Sequence, residues 1–363
     1  MILHILSSEM HREALKVPFE LPEAFLQANQ VVAVLTGGTE SKFLQLVDEG
    51  LIDLSKPVYL MVSGHSNSLA AALEILSYIR QHKGVGKVMM NAEDTSLEVT
   101  GDGAQVTVVP SEAVLKSEKK LRLGVVGKPS DWLISSGVDY AEVLKRMNCE
   151  LVDIDIEEVS SLGEVDPGMK GAEAIYKRLK DIVNQYDLQG VTLRCFDLLT
   201  TVKNTGCIAL SKLNDEGVPA ACEGDIPTLL TMMIIKQRTG ELGFQVNPAR
   251  IKADGEMLFA HCTLPLGMTE KHEYTTHFES GIGVAIHGDL PTGDYTLLKL
   301  SGDMKRLLAV DVTLERCQFE QNLCRTQVWI KATPEVAHYF LTDPIANHHV
   351  LIKGKHAAKF LQQ

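Results

Sequence analysis

No stretch of the 363 residues reaches the roughly 18 unbroken apolar positions that a membrane-crossing helix requires. Positive charge is scarce as well. Thirty-five Lys and Arg face 47 Asp and Glu, a net charge of 35 − 47 = −12, which argues against a nucleic-acid backbone or an anionic membrane as the main partner. Cysteine is sparse and unpaired in pattern: the seven (149, 195, 207, 222, 262, 317, 324) contain no CxxC, which removes a zinc ribbon and a thioredoxin-type redox site. They read as reduced thiols of a cytoplasmic protein, mostly small core residues. The N-terminal MILHILSSEMHREAL lacks the basic segment and apolar run of a secretory signal. A G-x-G-x-x-G loop is missing too, so no nucleotide cofactor is expected.

What is present is a chain long enough for two or three domains, at about 100–200 residues each. QVVAVLTGG (30–38) and KPVYLMVSG (56–64) are short β-branched runs that end in glycine. Each precedes a helical pattern, SKFLQLVDEGL and SNSLAAALEILSYIRQHKG, and strand, glycine turn, helix is the signature of a parallel sheet. TGGTE (36–40) and SGHSNS (63–68) then fall at strand C-terminal ends, either as ligand-binding loops or simply as tight turns. A second start at LRLGVVGKPSDWLISS (121–136) continues through ELVDIDI, VTLRCF and GVPAACEGD. After TGELG (239–243) come closely spaced strand-like runs, MLFAHCTLP, GIGVAIHG, DYTLLKLSG, RLLAVDVTL and TQVWIKA, which predict an antiparallel barrel or sandwich. The expected fold is α/β: two doubly wound parallel units, 1–118 and 119–240, then a β-rich, barrel-like domain over 241–363 that closes on the helix-like HAAKFLQQ.

The densest chemistry lies in ACEGDIPTLLTMMIIKQRTG (221–240). Glu223 and Asp225 stand between an apolar strand and a helix. Two carboxylates at that spacing suit a divalent cation or a general base, and they equally suit an ordinary helix N-terminus. Asn247, His261 and His348 are the other polar positions set against apolar strands. Glu plus two His with a nearby carboxamide favours a borderline or hard cation over a closed zinc site. Trp132, after Ser130 and Asp131, offers either a stacking wall for a sugar ring or core packing. Arg194 closes a strand. His277, Glu279 and His287 are either contacts for substrate hydroxyls or surface turn residues. Cys222 and Cys262, adjacent to Glu223 and His261, should point to the opposite strand face and pack in the core.

ACEGDIPTLLTMMIIKQRTG, NPARI, AHCTLP, HFESGIGVAIHGDLPTG and ANHHVLIKG together resemble the L-fucose isomerase and L-arabinose isomerase superfamily, nearest to its short fucose isomerase-like members. GKPSDWLISS and LRCFDLL extend the likeness from about residue 120 to the C-terminus. The resemblance implies a reversible aldose–ketose isomerisation through a cis-enediol, with Mn²⁺ or another divalent cation across two sugar oxygens. It makes Glu223 ligand and base, His348 and His261 ligands, and Asp225 an acidic neighbour available for acid–base work. Trp132, Arg194, His277 and Glu279 become candidate substrate contacts. It also implies a homo-oligomer, a trimer or hexamer. Asn247 departs from the pattern, standing where the family has its second acidic ligand. A carboxamide offers a neutral oxygen but takes no proton near neutral pH. A sugar epimerase, or a carbohydrate-binding or sensing protein on the same fold, is therefore the alternative function.

Overall fold

The computed structural model describes residues 3–8, 16–96 and 106–361. Part of the N-terminal segment read for signal character, and the last two residues of the C-terminal helical pattern, lie outside them.

The two glycine-ended runs form neighbouring strands. Leu3–Leu6, Gln30–Val34, Val58–Val62 and Gly86–Met89 make a four-stranded sheet in chain order, parallel throughout. Parallel neighbours require crossover connections. Helices Glu40–Asp48 and Ser68–Gln81 supply two of them. The second helix buries nearly its whole circumference, so its alanines and leucines pack on more than one side. Buried among them is one carboxylate, Glu74.

A second parallel sheet has the order Cys149–Ile154, Leu121–Val126, Gly190–Leu193, Ala220–Cys222. The chain first moves outward from Leu121–Val126, then crosses to its other side. That reversal leaves a crevice beyond the strand C-termini, the usual ligand position in an open α/β sheet. The loop 127–136, which carries Trp132, and the turn at Glu223 both lie at this end.

The C-terminal runs are antiparallel and close on themselves. Gly293–Leu300, His349–Lys353, Phe244–Ile251, Glu256–His261, Thr326–Lys331 and Leu307–Gln318 pair in that order, and the last pairs back with the first. Closure removes the open strand edges that the alternating runs would otherwise expose. Thr107–Val108 adds a short strand to the outside of Leu307–Gln318. The architecture is α/β with two parallel sheets and an antiparallel barrel, the fucose isomerase-like arrangement expected from the sequence.

The parts are joined through a shared interior. Apolar residues of helix Ser68–Gln81 belong to the same buried cluster as barrel residues Phe244, Val246 and Phe259. Helix Ile226–Thr239 packs its Leu, Met and Ile face against barrel residues Leu298, Leu300 and Val350. Gln245 Oε1 accepts the Cys222 N–H at 2.7 Å, pinning the last parallel strand to the barrel just before Glu223.

Candidate metal centre and cavity

Glu223 leaves the strand Ala220–Cys222 with φ +64°, and Gly224 follows at +69°. Two successive left-handed residues make a sharp corner, and a non-glycine residue there is uncommon enough to signal a functional constraint. Gly224 is required on two counts. A Cβ on it would fall 2.3 Å from the Lys128 carbonyl oxygen, and its positive φ disfavours side chains. The corner is held by Gly224 N–H to Leu193 O and by Ser130 N–H to Glu223 O, both 3.0 Å. Immediately beyond, Asp225 caps helix Ile226–Thr239 by accepting the Thr228 N–H at 2.7 Å, with Pro227 in the first turn.

The other polar positions come from the barrel. His261 ends the strand Glu256–His261, and His348 immediately precedes His349–Lys353. One ligand atom from each of Glu223, His261 and His348 lies within 4.8 Å of the other two. These three are the candidate metal ligands. Both imidazoles have one nitrogen spoken for. His348 Nδ1 lies 2.8 Å from Asp225 Oδ2, and His261 Nδ1 lies 3.0 Å from Thr263 Oγ1. His348 Nε2 is buried, 3.4 Å from Glu223 Oε1, and makes no hydrogen bond. A donor atom oriented from behind and unpartnered in front is how a protein presents histidine to a cation.

Electrostatics agree with that assignment. Burial opposes charge on His348, but Glu223 and Asp225 outweigh it and lift the imidazole to about 10, so this spot holds a positive charge. Burial, with His348 beside it, pushes His261 down to about 4, leaving a neutral ligand. Burial would raise Glu223, yet the charge of His348 3.4 Å away, then His261 and the Trp132 hydrogen bond, hold its carboxyl below the ordinary value. Asp225 is likewise buried and is held well below the carboxylate range by Lys299 and His348. Lys299 Nζ, fully buried, sits 3.6 Å from Asp225 Oδ2 and 3.2 Å from Thr228 Oγ1.

A small cavity opens over Glu223. Trp132 lines it and donates Nε1–H to Glu223 Oε2 at 2.5 Å, while its ring meets Phe196 edge-on at 4.9 Å. Trp132 is therefore both an apolar wall and a donor to the carboxylate. Asn247 also lines the cavity, and its Oδ1 accepts a hydrogen bond from Asn347 Nδ2 at 3.0 Å. Glu279 lines it too, held by Asn67 Nδ2 at 2.7 Å, with His277 Nε2 3.9 Å away.

His277 and Glu279 are not surface turn residues: both side chains are 9% exposed, because the segment folds back against Phe196 and Asn67. Arg194 is absent from the cavity lining. Its guanidinium is bound by Asp131, Asp197 and the Pro129 carbonyl, so it ties the Trp132 loop to the sheet. His287 pairs with Glu273 on a half-exposed strand. Cys222 and Cys262 are buried in the apolar core.

Four residues went unrecognised in the sequence. Glu40, which opens helix Glu40–Asp48 after TGGTE, lines the cavity and is 4% exposed. Glu74 accepts the Ser135 and Asn347 backbone N–H groups at 2.9 and 3.1 Å, bracing the cavity loops from below. Asn347 and Lys299 complete the set. Two left a signal: Glu40 as the last residue of TGGTE, and Lys299 as a lone cation inside the apolar run DYTLLKLSG.

The parallel sheets and the closed barrel make an α/β protein whose fold is consistent with the fucose isomerase-like arrangement, with the Glu–His–His group at their junction as a candidate metal centre. No family model matches the chain. The chain is similar to the sulfoquinovose isomerase of Priestia aryabhattai, 22% identical over 222 residues that cover 52% of this chain and 49% of that protein. The sulfoquinovose isomerase of Alkalicoccus urumqiensis is 22% identical over 176 residues, 41% of this chain and 39% of that protein. That of Clostridium sp. (strain MSTE9) is 31% identical over 90 residues, 24% and 20% of the two chains. The matched region is thus half or less of each relative's length.

Proposed function

We propose that this chain is a metal-dependent sugar isomerase that interconverts an aldose and its ketose through a cis-enediol. The observation that carries the reading is the grouping of Glu223, His261 and His348 within 4.8 Å, with Glu223 facing a polar-lined cavity. The names of the similar proteins support it.

The donor set fits a divalent cation such as Mn²⁺: one carboxylate, two oriented imidazoles, and one buried imidazole nitrogen without a partner. Glu223, His261 and His348 would hold it, with the Asn247 oxygen as a neutral addition. When bound, such an ion polarises a sugar carbonyl and lowers the cost of removing the neighbouring C–H proton.

The rest falls to the chain's own side chains. Glu223, ionised and facing the cavity, takes the C2 proton of the aldose as general base. The C–H electron pair becomes the C1–C2 double bond, and the carbonyl electrons pass to O1, which gains a proton. With O1 and O2 on the same side, the O2 proton supplies O1 and Glu223 returns its own proton to C1. Atoms and electrons balance without an outside oxidant or reductant. A single carboxylate serves both carbons, so Asn247 does not block the reaction. Trp132 Nε1–H fixes which Glu223 oxygen faces the substrate, since it holds the other. Asp225, spent on the Thr228 N–H, His348 and Lys299, acts through His348 and does not reach the substrate.

The test is solvent exchange in D₂O with Mn²⁺-loaded protein and a panel of aldoses, read by NMR. Deuterium at C2, with ketose forming and both lost in Glu223→Gln, is expected. Protein with bound metal that exchanges no aldose in the panel overturns the reading.

A further inference from the structure

The cavity brings together carboxyls from three distant parts of the chain, Glu40, Glu223 and Glu279, alongside the carboxamides of Asn67, Asn247 and Asn347. Its described lining contains no Lys, Arg or His. Three nearby basic side chains are engaged elsewhere. Arg194 is bound to Asp131 and Asp197, Arg250 to Glu320, and Lys299 lies behind Asp225. Glu40 Oε2 is buried with no hydrogen-bond partner, although it borders the cavity. A buried carboxyl oxygen left open toward empty space has a place for a ligand hydroxyl.

We propose that this site takes an uncharged polyhydroxy sugar and refuses one bearing a sulfonate, phosphate or carboxylate, with Glu40 and Glu279 as the residues that hold its hydroxyls. The proposal rests on the sugar-site reading above and narrows its substrate class.

The chemistry of the wall supports this. Burial, reinforced by Glu74 and Glu223 at Glu40 and by Glu223 at Glu279, lifts each carboxyl to about 8, so near neutral pH both are protonated acids. A neutral carboxyl carries one O–H donor and one acceptor oxygen, matching a hydroxyl that both accepts and donates. Carboxamides offer the same dual capacity. An anionic substituent would instead lose its water and meet no basic side chain on this wall. The sulfonated sugar in the relatives' name would therefore be a poor ligand here, through residues those proteins need not share.

The experiment compares matched sugars on the Mn²⁺-loaded protein by calorimetry, without turnover: quinovose with sulfoquinovose, glucose with glucose 6-phosphate, galactose with galacturonate. In the pair that binds, the neutral member should bind at least about tenfold more tightly than its anionic partner. Glu40→Leu and Glu279→Leu, made separately, should each weaken the neutral sugar about tenfold while Mn²⁺ affinity stays unchanged. An anionic member that binds as tightly as its neutral partner overturns the proposal. So does unchanged neutral-sugar affinity in both variants. Neutral-sugar binding without deuterium exchange would sink the isomerase reading and leave this one standing. Exchange confined to sulfoquinovose would do the reverse.

Discussion

His348 Nδ1 lies 2.8 Å from Asp225 Oδ2, so a helix-capping carboxylate also fixes the direction in which a candidate metal ligand points. Asp225→Asn keeps a capping oxygen but removes the charge that faces His348 and Lys299. Metal affinity should fall about 10–100-fold. Stability should fall by about 3 kcal/mol, because buried Lys299 loses its carboxylate. Adding Lys299→Met should recover part of the stability and none of the metal affinity. Urea unfolding and metal titration of the two variants measure both.

Metal uptake should release protons. In the metal-free protein His348 sits at about 10, above the ordinary histidine value of 6.5. Its protonated form stabilises the fold fully below pH 6.5, and that contribution is lost as pH rises through about 10. A cation bound near neutral pH must therefore displace this proton, whereas His261, held at about 4, is already neutral. About one proton per ion should be released, with affinity rising about tenfold per pH unit between pH 6.5 and 9. Calorimetry in buffers of different ionisation enthalpy counts the protons, and a pH-independent affinity contradicts the assignment.

Glu40 should make the metal-free protein sensitive to alkali. Its carboxyl is raised from 4.5 to about 8, so the protonated form contributes stability that is full below pH 4.5 and lost as pH rises through 8. Glu40→Gln should accordingly be about 2 kcal/mol more stable than the wild type at pH 9 and nearly equal to it at pH 5. Denaturant midpoints at the two pH values, in chelator, decide this.

Gly224→Ala should damage the corner that presents Glu223. The added methyl would meet the Lys128 carbonyl at 2.3 Å in a left-handed backbone. A loss of about 2–4 kcal/mol is expected, together with loss of tight metal binding. Gly217→Ala, with φ +79° but nothing within 4 Å of its added Cβ, separates backbone strain from the clash and should leave metal binding intact.

Much of this was visible in the chain before folding. Glycine-ended β-branched runs followed by helical periodicity announce parallel βαβ units, and short strands with turn residues announce the antiparallel end. Both are local patterns, and both elements formed. Glu223 and His348 were recognisable because their flanking residues resemble a known family. Glu74 and Asn347 were not, since a lone Glu or Asn carries no sign of burial. His277 and Glu279 stayed open between substrate contact and surface turn for the same reason: a polar turn beside glycines looks identical whether it meets water or Phe196.

The sequence by itself determined which elements form and where charge is scarce, because hydrophobic period and turn chemistry act over a few residues. Only the tertiary structure decided the site. Glu223 and His261 are 261 − 223 = 38 residues apart, and His261 and His348 are 348 − 261 = 87 apart. No local rule joins such positions. They meet because the barrel closes on itself and Gln245 docks it to the strand before Glu223, placing strand ends from two sheets at one cavity. There burial and neighbouring charges, which depend on the whole fold, set the protonation of each group.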